Sequence, residues 1–134
     1  MNLNKRPHSI REVSERVILN KEMFPFILSE FLDYFYLLTD KEKKQDSINN
    51  QPKIINESSL NAYLAACAEH LARKNDLLIP DWTEKNNYFL KEPFFDNAGI
   101  KNLNLLLLAE SPIAFRKRLI FTEKNPLRRL PKTI

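Results

Sequence analysis

Apolar residues recur every three or four positions along most of this chain, the spacing that gathers side chains on one face of an α-helix. Ser9, Ile10, Arg11 and Glu12 form a Ser-x-x-Glu capping box ahead of Ile10, Val13 and Val17, which predicts a short helix over about 10–19. Asn20 and Pro25 then mark a restart rather than a continuous rod. From Phe24 to Leu38 the residues Phe24, Ile27, Leu28, Phe31, Leu32, Phe35 and Leu38 share a broad face, with Ser29, Glu30, Asp33 and Tyr36 opposite, and a second helix is expected there. Residues 40–57 turn polar with Pro52 inside and read as a long loop, whose Ile48, Ile54 and Ile55 suggest that its second half lies against the body.

Ser58 or Ser59 is placed to cap the next helix, where Leu60, Tyr63, Leu64, Cys67 and Leu71 recur at helical steps and alanines fill the gaps. Alanine favours helix and permits close approach of neighbours, so this helix is expected at the centre of the fold. Between Asp76 and Asn97 prolines break the pattern into short apolar pieces, expected to be helical turns laying Trp82, Tyr88, Phe89, Phe94 and Phe95 onto a core. Asn102 to Glu110, with four consecutive leucines, reads as a buried helix. Ser111 and Pro112 open another short helix through about Arg118. Leu119 to Thr122 has strand character, and Asn125 and Pro126 begin a last turn ending near Leu130. No internal repeat and no sustained heptad is present. The fold class expected is all-α: a compact orthogonal bundle of five or six unequal helices, with at most one short strand pair, in a single domain over 1–134.

Composition sharpens this picture. Gly99 is the only glycine, so the tight-turn punctuation of β-sandwiches and barrels is missing, and a P-loop or dinucleotide fingerprint is excluded. Cys67 is the only cysteine, which rules out an intramolecular disulfide and a cysteine-based zinc site. No unbroken apolar run, Leu105 to Ala109 included, comes near the ~20 residues that span a bilayer. Met1 to Pro7 lacks the apolar stretch of a signal peptide, and a cytoplasmic location is expected. Net charge is +4, concentrated in residues 116–134, where Arg116, Lys117, Arg118, Lys124, Arg128, Arg129 and Lys132 stand against Glu123 alone.

Several residues invite a chemical reading, each set against a plainer one. Glu69 and His70 suggest metal or acid/base chemistry, but Ala66 and Lys74 stand where a zincin would place its second histidine. Cys67 lies three residues before His70, yet alanines surround it and packing is the better reading. Glu30, Asp33, Tyr34 and Tyr36 read as a solvated helix face, and the aromatics of 82–95 as core rather than as base-stacking platforms. His8 is the remaining histidine. No catalytic, cofactor-binding or metal-binding residue is assigned, and no cofactor is expected. The basic carboxy-terminal segment is the better candidate for a functional surface.

One resemblance adds to this. The order Phe31-Leu32-Asp33, Ala68-Glu69-His70-Leu71-Ala72, Pro80-Asp81-Trp82, Pro93-Phe94-Phe95 and Glu110-Ser111-Pro112 with Phe115, Arg118 and Phe121 resembles a bacterial family of helical domains. That family is often carboxy-terminal to a helix-turn-helix domain and encoded beside nucleotidyltransferase-like toxins. The resemblance implies an antitoxin-like or regulatory role through a protein partner, such as a nucleotidyltransferase-like toxin, and not an enzyme. Too little chain precedes residue 24 for a complete helix-turn-helix domain. The matched residues expected to be exposed for contact are Asp33 and Arg118, with the neighbouring Arg116. Partner or nucleic-acid contact is accordingly assigned to Asp33, Arg116, Lys117, Arg118, Lys124, Arg128, Arg129 and Lys132. Alternatives are a nucleic-acid-binding protein using the basic segment, weakening steeply with salt, and an enzyme of unknown type.

Overall fold

The computed structural model describes residues 5–129. It is mostly helical, with six α-helices and one pair of two-residue strands among the described residues. The chain divides into two compact units, one formed by its amino-terminal part to Lys53 together with the segment from Leu127, the other by Ile54–Pro126.

In the first unit, α1 (Ile10–Leu19) starts at the predicted capping box, with Ser9 Oγ accepting from Glu12 N at 3.0 Å. A 3-10 turn over Lys21–Met23 leads into α2 (Phe24–Leu37), whose second residue is Pro25, in the first turn where a missing N–H costs nothing. Ile10, Val13 and Val17 of α1 are buried, as are Phe24, Ile27, Leu28, Phe31, Leu32 and Phe35 of α2, and the two helices pack together. Residues 41–49, expected to be loop, instead form α3 (Lys41–Asn49). Its lysines, glutamate and glutamine are good helix formers that carry no apolar period, so the pattern was silent where propensity was not. Asp40 caps it, accepting from Glu42 N at 2.9 Å, and the helix packs on α1 with its Ile48 fully buried. The irregular stretch that follows is held by α1: Arg11 donates to the Gln51 carbonyl at 2.8 Å and Ser14 Oγ accepts from Lys53 N at 2.9 Å. Leu127 is buried, and its carbonyl accepts from the Tyr36 hydroxyl at 2.8 Å.

The second unit is organised by α4 (Ser58–Lys74), in which Ala62, Leu64, Ala65, Ala66, Cys67, Ala68, Leu71 and Ala72 are all buried. Neither Ser58 nor Ser59 caps it; Glu57 stands at the cap position, and its carboxylate accepts from the Ser59 hydroxyl at 3.5 Å rather than from a helix amide. Asn61 holds the approach instead, accepting from Ile55 N and donating to Ile55 O, each at 2.8 Å. Alanine-rich surface lets neighbours come close, and α4 receives 3-10 turns over Asp81–Glu84 and Asn86–Tyr88, which bury Trp82 and Tyr88 edge to face at 5.0 Å. Two strands, β1 (Phe94–Phe95) and β2 (Ile120–Phe121), pair in parallel with Phe95 stacked on Phe121. The remaining helices are α5 (Asn104–Glu110) and α6 (Ile113–Arg116), the latter burying Ala114 and Phe115 against α4.

Candidate interaction surface

The run of four leucines in α5 cannot satisfy itself within its own unit. Successive residues of a helix are turned by ~100°, so an unbroken apolar run presents oily side chains on every side while only one side faces a core. Leu107 takes the inward position and is 5% exposed. Leu105, two residues earlier and on the far side, is 80% exposed, and Leu106 and Leu108 flank it at 51% and 41%. The expectation of a buried helix over 102–110 is therefore corrected: α5 lies on the surface and packs through one stripe, against β2.

The helix is nevertheless well built. Gly99 adopts φ +83°, a left-handed conformation that suits glycine, and turns the chain into a 3-10 turn over Lys101–Leu103. At the other end Ser111 N donates to the Leu107 carbonyl at 3.1 Å, and the Ser111 hydroxyl accepts from Thr122 N at 2.9 Å. Arg116 then reaches back to the Leu108 and Ala109 carbonyls at 3.1 and 3.2 Å, satisfying groups the helix end leaves open. Ile100, Leu103 and Ile113 extend the apolar surface on either side, so six exposed aliphatic side chains fall between residues 100 and 113. Summed over the six, roughly 500 Å² of apolar side chain is exposed, within the ~300–600 Å² of the largest patch on a typical monomer.

The residues assigned to contact from sequence are placed differently. Arg118, expected to be exposed, is completely buried, and this is a correction with a clear cause. Its guanidinium meets the buried Glu69 carboxylate at 2.8 Å, donates to the Ala114 and Thr83 carbonyls at 2.7 and 2.8 Å, and lies over the Phe89 ring at 4.8 Å. A buried carboxylate demands a partner, and the fork of Arg118 supplies it. Arg73 and Lys117 complete the ring around Glu69 at 2.8 and 3.1 Å, with Lys117 also bonding Glu84 at 3.0 Å. Burial alone would raise the Glu69 carboxyl, but the hydrogen bonds from Arg118, Arg73 and Lys117 outweigh it and hold the group below the usual glutamate value.

Asp33 is likewise buried rather than exposed. Arg129 clasps it from Nε at 2.9 Å and Nη2 at 3.3 Å, which raises the guanidinium further above its ordinary value. Arg116 is exposed but occupied at the end of α5, Lys124 and Arg128 are exposed, and Lys132 lies outside the described residues.

The other candidates resolve into packing. The thiol of Cys67 is wholly buried and pushed up by that burial, against a smaller opposing pull from Arg118. His70 sits edge-on to Phe115, and burial with the nearby Lys74 lowers it. Tyr63 is raised, first by burial, and hydrogen-bonds Asp96, itself raised by burial. On α2, Glu30 pairs with Arg6 at 3.3 Å and Tyr34 stacks on His8 at 4.2 Å. A groove of about 630 Å³ runs between residues 54–61 and 86–92, but its charged side chains, Glu57, Lys91 and Glu92, are all exposed at the surface. Among the described residues no three His, Cys, Asp or Glu side chains converge to hold a metal, and no helix is long and apolar enough to cross a membrane.

No protein-family model, curated protein or solved structure matches the chain.

Proposed function

We propose that this chain is a cytoplasmic, non-enzymatic protein-interaction domain, antitoxin-like or regulatory, whose contact face is the apolar surface from Ile100 to Ile113. The observation that carries the reading is Leu105, which stands 80% exposed in the first turn of α5. Covering such a leucine contributes about 1.5–3 kcal/mol, so the surface stores enough binding free energy to work once a complementary face excludes water from it. An apolar centre with a polar rim, here Lys101 and Arg116, is the usual anatomy of a protein contact. The resemblance to antitoxin-like domains supports a folded protein as the partner, of which a nucleotidyltransferase-like toxin is one.

Nucleic-acid binding draws less support. Four of the seven cations of the basic segment are engaged in contacts within the chain, the buried Arg118 and the surface Lys117 on Glu69, Arg129 on Asp33 and Arg116 on helix carbonyls. Phosphate recognition needs such groups turned to solvent.

The test is co-purification at native expression of the wild type beside Leu105→Lys. A protein that accompanies the wild type in fixed ratio and is lost from the variant supports the reading. A wild type that elutes with nothing, or a companion indifferent to the substitution, refutes it.

A further inference from the structure

We infer that, in the isolated protein, a second copy of the chain occupies this face, the two α5 helices packing antiparallel about a two-fold axis at the level of Leu107. The inference rests on the interaction reading above. It is carried by shape, area and charge.

With successive residues turned by ~100°, Leu105 and Ala109 point away from the unit, each about 160° round from the buried Leu107 and on either side of the outward direction. A two-fold axis perpendicular to the helix at residue 107 therefore sets Leu105 of each copy over Ala109 of the other, large against small, at both ends of the seam. Ala109 is the one small residue in a run of leucines and lies where two helices meeting face to face would approach most closely. Leu106 and Leu108 border the seam on its two sides.

An isologous contact also doubles the area without requiring new chemistry. At most roughly 500 Å² of apolar side chain is available from each copy, somewhat below the ~600 Å² per partner at the lower limit for specific interfaces, which fits a modest, concentration-dependent association. Charge permits the approach. Residues 54–126 hold nine Lys or Arg and nine Asp or Glu, so two such units meet without net repulsion, whereas the whole chain carries +4.

Sedimentation velocity on the full chain between about 1 and about 200 µM tests this, the span over which a modest interface associates. The wild type is expected to pass from the 15.8 kDa monomer to twice that mass as concentration rises. Leu105→Lys is expected to weaken pairing at least ten-fold. Ala109→Leu separates a fitted seam from a merely sticky surface: it adds apolar area yet fills the place of Leu105 from the other copy, so it should weaken pairing several-fold. Both positions are exposed, and circular dichroism should show both variants folded. A wild type monomeric throughout, or an Ala109→Leu variant that associates as tightly as the wild type or more so, overturns the inference. A monomeric wild type that still loses its stoichiometric companion on Leu105→Lys overturns self-pairing and leaves the interaction reading intact, while a Leu105→Lys variant unchanged in both assays defeats the two together.

Discussion

Replacing Arg118 by alanine should be the most damaging single change in the second unit. The substitution strips Glu69 of a partner at 2.8 Å, leaves the Thr83 and Ala114 carbonyls without their donor, and empties the space above Phe89. Removing one side of a buried ion pair costs about 3–5 kcal/mol. Here Arg73 and Lys117 remain on the carboxylate, which draws the charge term toward the lower end, while the two orphaned carbonyls add about 1 kcal/mol each. A net loss of about 5 kcal/mol follows. The assay is built into the molecule, because Trp82 is the only tryptophan and is buried next to Thr83 in the same unit. Urea titration followed by its fluorescence should show the midpoint falling by roughly 3 M for a unit of this size, at ~1–2 kcal/mol per molar. Arg118→Lys should recover part of the loss, since one ammonium cannot make all three contacts. A midpoint for Arg118→Ala within about 0.5 M of wild type would show that the ring of charge around Glu69 does not hold the unit together.

The same ring makes the second unit acid-sensitive: a carboxyl held low in the fold stabilises it fully above the ordinary glutamate value of ~4.3, and that contribution is lost as pH falls through the lowered value. Glu69→Gln should therefore lower stability near neutrality and flatten its decline at acid pH, and a variant keeping the wild-type acid limb would contradict this. Asn61→Ala removes both bonds to Ile55 and should cost about 1–3 kcal/mol by the same fluorescence titration, with a loss under about 0.5 kcal/mol counting against the staple. Cys67, buried and raised, should resist iodoacetamide at neutral pH until the protein is unfolded, and rapid alkylation of the native chain would show its surroundings to be open.

How much of this was legible in the residues depends on how local the cause is. The capping box at Ser9 and the apolar faces of α1, α2 and α4 are written in neighbouring residues, and the structure has them as read. α3 was missed because its helix-forming residues are nearly all polar, so a reading led by apolar period passed over them. Arg118 was misplaced for a different reason: its basic neighbours made it look like part of a surface tail, and its true partner lies 49 positions earlier. Glu69 and Arg73, four apart on one helix, were the visible half of that cluster. For α5 the run of leucines was plain, but a hydrophobic sequence states only that its surface prefers to be covered. Whether the cover comes from the same chain is a matter of tertiary packing, and here one stripe of four is covered.

The decisive measurement concerns that uncovered stripe. A thiol introduced by Leu105→Cys can be compared within one molecule against Cys67, which serves as the buried reference. At about 1 µM, where a modest interface is dissociated, the introduced thiol should alkylate at close to the rate of a free cysteine while Cys67 stays inert, and protection should grow as concentration rises. Equal and slow reaction of both thiols in the dilute native protein would mean that the chain covers α5 by itself, and no surface would be left for a partner to fill.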